Sequence, residues 1–465
     1  MTPSPQGIPM TQNLYYCLPI SGYYRCPQEY LDFCVAAPLK ESRGYFRFGP
    51  DITCYGQTSG YAYPTINGHL FDASEHVRRQ GHTSFLPFDP AQIVDNLRLE
   101  RYVDQSSQWW WLENVRVKKI YYQLRPFFPV TLRKHFQQVY LRGWDTIPFP
   151  AWPVDRSVDK LFEKLLVLAM QAQHTDRMPF IWFWPEGHAA CAIVTHDVEE
   201  TAGRDFTSRL MDIDDAYEIK ASFQIVPEKR YTVSPAYLET MRERGFEINV
   251  QGLNHDGRLF WNREEFLKSA KKINHYAKQF GAQGFRSPIM YRNVDWFQDL
   301  CFSYDMSVPN VAHLEPQRGG CCTVMPYFLP GGMLELPLTT IQDYSLFHIL
   351  EEYSIALWKK QCDVLLDGHG LMSFLIHPDY VIQPRAQDVY KELLAYLNRL
   401  RSDYAIWVAL PKEVDHWWRE RSAMQLIAGS KGWTIEGPGS HRARVAYARL
   451  DGDQVVYETD SSRSV

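Results

Sequence analysis

Between residues 185 and 425, short runs rich in β-branched and aliphatic residues alternate with segments of helical periodicity. Few folds accommodate that order. The runs are ACAIVTHD, ASFQIVP, FEINVQG, AQGFRSP, SYDMSVP, LELPLTT, MSFLIHP and AIWVALP. Between them lie helical segments such as NREEFLKSAKKINHYAKQFG, where Phe266, Ala270, Ile273, Ala277 and Phe280 recur at helical spacing. Asn262 and Glu265 have the spacing of an N-terminal capping pair, and Gly281 ends the run. SPAYLETMRERG predicts a second helix, capped by Ser234 with Pro235 at its first position. VYKELLAYLNRLR and VDHWWRERSAM predict two more. Strands that alternate with helices pair in parallel, so the expectation is an α/β fold, either a barrel or a doubly wound sheet.

The flanks read differently. Residues 1–180 are rich in Tyr, Gly and Pro at the start, with weak periodicity, and predict an irregular extension with short strands and a helix in PAQIVDNLRLERYV. Residues 430–465 predict a small C-terminal β-module, because Asp451-Gly452 separates two alternating runs. The stretch from Arg116 to Arg142 holds seven basic residues, with no acid between Glu113 and Asp145 and with aromatic residues interleaved. Two readings stand for it: a solvated basic face on packed helices, or peripheral contact with an anionic membrane surface or polyanion.

Charge and cysteine usage narrow the class of function. A net charge of -5 gives no basic footprint for nucleic acid. Nine cysteines without a CxxC pair predict reduced thiols rather than a disulfide framework or a zinc ribbon. The opening residues lack a basic n-region and a sustained apolar h-region, and no stretch is long and apolar enough to span a bilayer. The expectation is a cytoplasmic protein.

Polar residues gather where several of the strands end. The first run leads into Thr195, His196, Asp197 and Glu199, and the third into Gln251, Asn254, His255 and Asp256. The fourth ends on Arg286, Ser287 and Pro288, and a later one on His377, Pro378 and Asp379. C-terminal strand ends of α/β barrels share one face, so these residues are expected to converge. Strand alternation puts Asp197 and Glu199 on one side and His196 on the other. Glu199 and His255 are zinc-binding types, with Gln251 as a weak oxygen ligand. Asp197 is then placed to act as a base kept ionised by Arg286, and His377 as an acid. His369 begins its strand and belongs to the opposite end.

These motifs resemble the polysaccharide deacetylase family, the NodB-homology domain of carbohydrate esterase family four. The first motif is THDVE (Thr195 to Glu199), the second QGLNHD (Gln251 to Asp256), the third Arg286-Ser287-Pro288, and the fifth FLIHP ending on His377. The fourth motif's acid is either Asp305 or Asp343. The resemblance covers about half the chain. It implies a distorted (β/α) barrel and a hydrolase that removes an acetyl group from an amino sugar or glycan. It implies a divalent metal, usually zinc, held by Glu199, His255 and the second-motif position Gln251, with Asp197 as base, Arg286 orienting it and His377 as acid. The family has His where this chain has Gln251, which implies a more loosely held metal. The alternatives are a metal-free relative that binds glycans without turnover, and a metal-independent C–N hydrolase.

Overall fold

The computed structural model describes residues 19–36, 38–66, 68–103, 141–430 and 432–459. The basic 116–142 stretch lies almost wholly outside them.

The first run forms β1 (Cys191–Val198), buried at every position. Burial on both faces suits a strand flanked by parallel neighbours and covered on each side. Seven further strands follow: β2 (Ser222–Ile225), β3 (Glu247–Gln251), β4 (Gly284–Arg286), β5 (Tyr304–Asp305), β6 (Tyr327–Phe328), β7 (Leu334–Glu335) and β8 (Leu371–Ile376). A ninth, β9 (Trp407–Val408), pairs beside β1. The sheet order is β6-β7-β5-β4-β3-β2-β1-β8, parallel except for β6 against β7. Helices α1 (Thr201–Ala216), α2 (Pro235–Glu243), α3 (Arg263–Phe280), α4 (Ala356–Asp367) and α5 (Pro384–Tyr404) cover one face. The expected caps form: the Ser234 side chain accepts from Tyr237 N and Asn262 accepts from Glu264 N and Glu265 N. Gly281 adopts φ 63° where α3 ends.

The sheet curls, yet among the described residues its backbone ladder does not close into a full barrel. After β7, Thr339 Oγ1 donates to Leu371 O at 2.6 Å and Thr340 Oγ1 donates to Ser373 O at 2.7 Å. Ser373 N donates back to Thr339 Oγ1 at 3.0 Å. Threonine hydroxyls thus bridge the gap that ladder bonds would fill in a closed barrel.

Alternation along β1 divides the core. Ala192, Val194 and Val198 join the helix-side cluster, while Cys191 and Ile193 join a second cluster on the concave face. That second cluster draws many of its side chains from the N-terminal region, and others from the sheet and from the segment after β9, such as Trp417 and Trp418. Those of the N-terminal region include Tyr24, Phe46, Leu97, Phe162 and Trp184. The region supplies short strand pairs, a helix at Pro90–Arg98 capped by Asp89, and a buried helix at Ser157–Ala172. Residues Arg177–Ile181 form a strand that pairs antiparallel with Val445–Asp451. That strand hairpins with Gln454–Thr459, so the C-terminal β-structure is stitched to the N-terminal region. The described cysteines are all unbridged. No helix among the described residues is long and apolar enough to cross a membrane.

Candidate active site

On β1 the concave-facing series Cys191, Ile193 continues to Thr195 and Asp197, then to Glu199 just beyond the strand. His196 points the other way and meets Asp214 Oδ2 of α1 at 3.0 Å, with Tyr390 of α5 also on that carboxylate. The register pairs Arg286 of β4 with Gln251 of β3, so both enter the concave side at the same level. His255 follows β3 in the left-handed region, at φ 52°. Arg230 holds it there by donating to its carbonyl at 2.8 Å.

The side chains meet around Glu199 Oε1. His255 Nε2 lies 2.7 Å from it and His377 Nε2 lies 3.4 Å from it. Gln251 Nε2 donates to Asp197 Oδ2 at 2.9 Å and to Glu199 Oε1 at 3.1 Å. His377 is backed by Asp343: its Nδ1 is 2.6 Å from Asp343 Oδ1, and its backbone N donates to Asp343 Oδ2 at 2.7 Å. Of the two candidate fourth-motif acids, Asp343 is the one that touches His377. Asp305 instead pairs in register with Glu335 on the neighbouring strand, and burial with the Asp305 charge raises the Glu335 carboxyl well above its ordinary value.

Arg286 reaches β1 two residues short of Asp197. Its Nη2 donates to Thr195 Oγ1 at 3.1 Å, and no carboxylate oxygen forms an ion pair with it among the described residues. It acts on Asp197 through its charge across the site rather than by a direct bond.

Electrostatics sort the groups by role. Burial raises the Asp197 carboxyl above its ordinary value, against the opposing charges of Arg286 and His377. Burial acts the same way on Glu199, but the His255 and His377 charges outweigh it and hold that carboxyl well below the usual range. For His377, burial favours the neutral ring, yet the Asp343 and Glu199 carboxylates raise it well above the ordinary imidazole value.

The donor set fits a divalent cation. Asp197 Oδ1 and Gln251 Oε1 are buried without a hydrogen-bond partner among the described residues, while His255 Nε2 faces the Glu199 carboxylate. Buried polar atoms are otherwise nearly always satisfied, so two unpartnered acceptor oxygens in one pocket mark a place for positive charge. Ligand atoms of Asp197, Glu199 and His377 also lie within 4.8 Å of one another. As placed, Gln251 turns its NH2 rather than its oxygen toward the carboxylates. Sequence reasoning brought Asp197, Glu199, Gln251, His255 and His377 together. It missed Arg230, which sits in an irregular segment after β2 with no periodic or motif signal.

No protein-family model matches the chain, and no curated protein matches it. Solved structures do. One from Mycobacterium smegmatis, designated a polysaccharide deacetylase, is 18% identical with a TM-score of 0.43, over 51% of this chain and 93% of its own. Puue allantoinase is 14% identical with a TM-score of 0.39, over 51% and 92%. A Pseudomonas aeruginosa PAO1 structure with the polysaccharide deacetylase designation is 15% identical with a TM-score of 0.40, over 51% and 93%.

Proposed function

We propose that this chain is a hydrolase that removes an acetyl group from an amino sugar or glycan. The observation that carries the reading is the convergence of Asp197, Glu199, Gln251, His255 and His377, with two unpartnered acceptor oxygens among them. Glu199 and His255 would hold a divalent metal, zinc by the chemistry of the donors, with the Gln251 carboxamide as a third, weaker contributor. When bound, that ion would polarise the acyl carbonyl.

The chain's own residues supply the proton transfers. Asp197, with its carboxyl raised by burial, takes a proton from the attacking water. Water oxygen bonds to the acyl carbon. The C–N bond then breaks as the leaving nitrogen takes a proton from His377 Nε2, the ring being kept protonated by Asp343. The products are acetate and a free amine. Arg286 limits the rise of the Asp197 carboxyl from a distance.

Gln251 favours one competing reading. Its NH2 already bridges the two carboxylates, a place a cation would otherwise hold, which suits a metal-independent C–N hydrolase. Activity on N-acetylated hexosamine oligomers, measured before and after chelation and after zinc is added back, separates the two. Loss on chelation and recovery with zinc is expected. Asp197→Asn should lower turnover by about a hundredfold or more while the protein stays folded. Turnover that survives chelation would move the reading to the metal-free enzyme. Absence of turnover on every acetylated amino sugar would overturn the proposal.

A further inference from the structure

Glu199 and His255 meet although their strands are not neighbours: β2 lies between β1 and β3 in the sheet. The turn that follows β2, residues 228–231, bonds to both of their segments. Toward β1, the Tyr231 hydroxyl donates to the carbonyl of Val198, the residue before Glu199, at 2.7 Å. Arg230 Nη1 pairs with the carboxylate of Glu200, the residue after it. Thr201 Oγ1 donates to Arg230 O at 3.4 Å. Toward the loop after β3, Glu228 N donates to Leu253 O at 2.9 Å. Arg230 Nε donates to Asn254 O at 3.4 Å and its Nη2 to His255 O at 2.8 Å. The same Nη2 stands 3.5 Å from His255 Nδ1.

This tie is held under backbone strain. Lys229 has φ 70°, and Arg230 N donates to Glu228 O at 3.0 Å, two residues back, in a tight turn of a rare kind. His255, at the other end of the Arg230 side chain, has φ 52°. Two non-glycine residues in the left-handed region persist where their surroundings over-determine them, and such strain gathers at functional sites. The Arg230 guanidinium presents its donors as a rigid planar fork, which fixes the Glu200 carboxylate and the His255 carbonyl relative to each other. Glu200 is 57% exposed, and an ion pair so open to water adds little stability of its own. What the fork supplies is geometry.

We propose that the 228–231 turn sets the separation of Glu199 and His255, with Arg230 as the positioning residue. The proposal rests on the proposed function and assigns how its ligand pair is held in place.

The test uses the full chain as wild type, Arg230→Ala, Arg230→Lys and Tyr231→Phe. Each is stripped of metal by chelation and then titrated with zinc against a chromophoric chelator. Arg230→Ala should bind zinc about 10–100-fold more weakly, the usual effect of removing a group that orients a ligand. Its turnover of N-acetylated hexosamine oligomers should fall through kcat, with KM kept. Arg230→Lys keeps the charge without the fork and should recover only part of both. A merely structural role would lower the melting temperature and leave the zinc affinity of the folded protein unchanged. Zinc affinity in Arg230→Ala equal to or above that of wild type would overturn the proposal, a rise meaning that the guanidinium acts only as a repelling charge. If Arg230→Ala does not fold, Tyr231→Phe decides by the same titration, since it removes the tie to Val198 and leaves the fork. Weaker binding supports the tie, and unchanged binding overturns it. A wild type that turns over no acetylated sugar sinks the functional reading, while the zinc titration still decides the role of Arg230. If wild type is active without binding zinc, kcat decides instead, and a wild-type kcat in Arg230→Ala overturns the proposal.

Discussion

The buried pair His377–Asp343 shows how much one side chain's state depends on its neighbour. Asp343 accepts both the ring and the backbone N–H of His377. A raised imidazole value stabilises the fold at pH below the ordinary imidazole value, and that stability is lost as pH rises through the folded value. Asp343→Asn removes the charge and keeps a hydrogen-bond acceptor. The alkaline limb of the pH–rate profile should therefore move to lower pH, and stability to denaturant near pH 6 should fall by about 1–3 kcal/mol. An unmoved limb would remove His377 from the role of acid. Gln251→His tests the other side of the site. It replaces a neutral amide with an imidazole at an established strand position, and zinc affinity measured by chelator competition should rise. No gain would favour the metal-free enzyme. Asp197, Glu199, His255 and His377 were legible because each sits at or just past a strand end, where position alone implies a face. Asp343 was not distinguishable from Asp305, because only the curl of the sheet decides which acid reaches across to β8.

At the scale of elements, all eight apolar runs became strands, and the two helices with recognisable caps started where the caps said. The antiparallel β6 escaped notice because two residues carry no period. The distorted (β/α) barrel implied by the family resemblance is met by a curled sheet with a bridged gap among the described residues, and no pattern in LELPLTT says that its threonines bond through their hydroxyls. Gly252 is the tightest junction between two of these elements. It has φ 54°, and a Cβ there would stand 2.2 Å from Pro288 Cγ. Gly252→Ala must strain the backbone and push apart the ends of β3 and β4. A loss of about 1–3 kcal/mol is expected in thermal or denaturant melts, with activity falling further than stability explains. Wild-type kinetics in that variant would show that the site does not depend on this contact.

Across the whole molecule, the N-terminal region supplies much of the filling of the concave face. Its short strands and sparse periodicity hid this from sequence reading, because a side chain's destination in another segment leaves no local mark. The tie is ionic as well as apolar. Arg292 Nε donates to Glu100 Oε2 at 2.6 Å, and Gly320 N donates to Glu100 Oε1 at 2.6 Å. Tyr102 OH donates to Gly320 O at 2.6 Å beside them. Glu100→Gln would leave the Arg292 guanidinium buried without its counter-charge, a change that costs about 3–5 kcal/mol. Unfolding should remain a single transition at lower temperature. Two separated transitions would mean that the two regions fold independently.

The strand Arg177–Ile181 waits for a partner, Val445–Asp451, that follows it only after the whole parallel sheet. During synthesis its edge stays unpaired until the ribosome has made all of the sheet between the two strands, and closing so long a loop is slow. The growing chain therefore carries a sticky, half-covered β-edge while that whole sheet is made, which is a hazard for association with other nascent chains. Truncations that remove only the last hairpin are expected to be the aggregation-prone ones, although they leave every proposed catalytic residue in place.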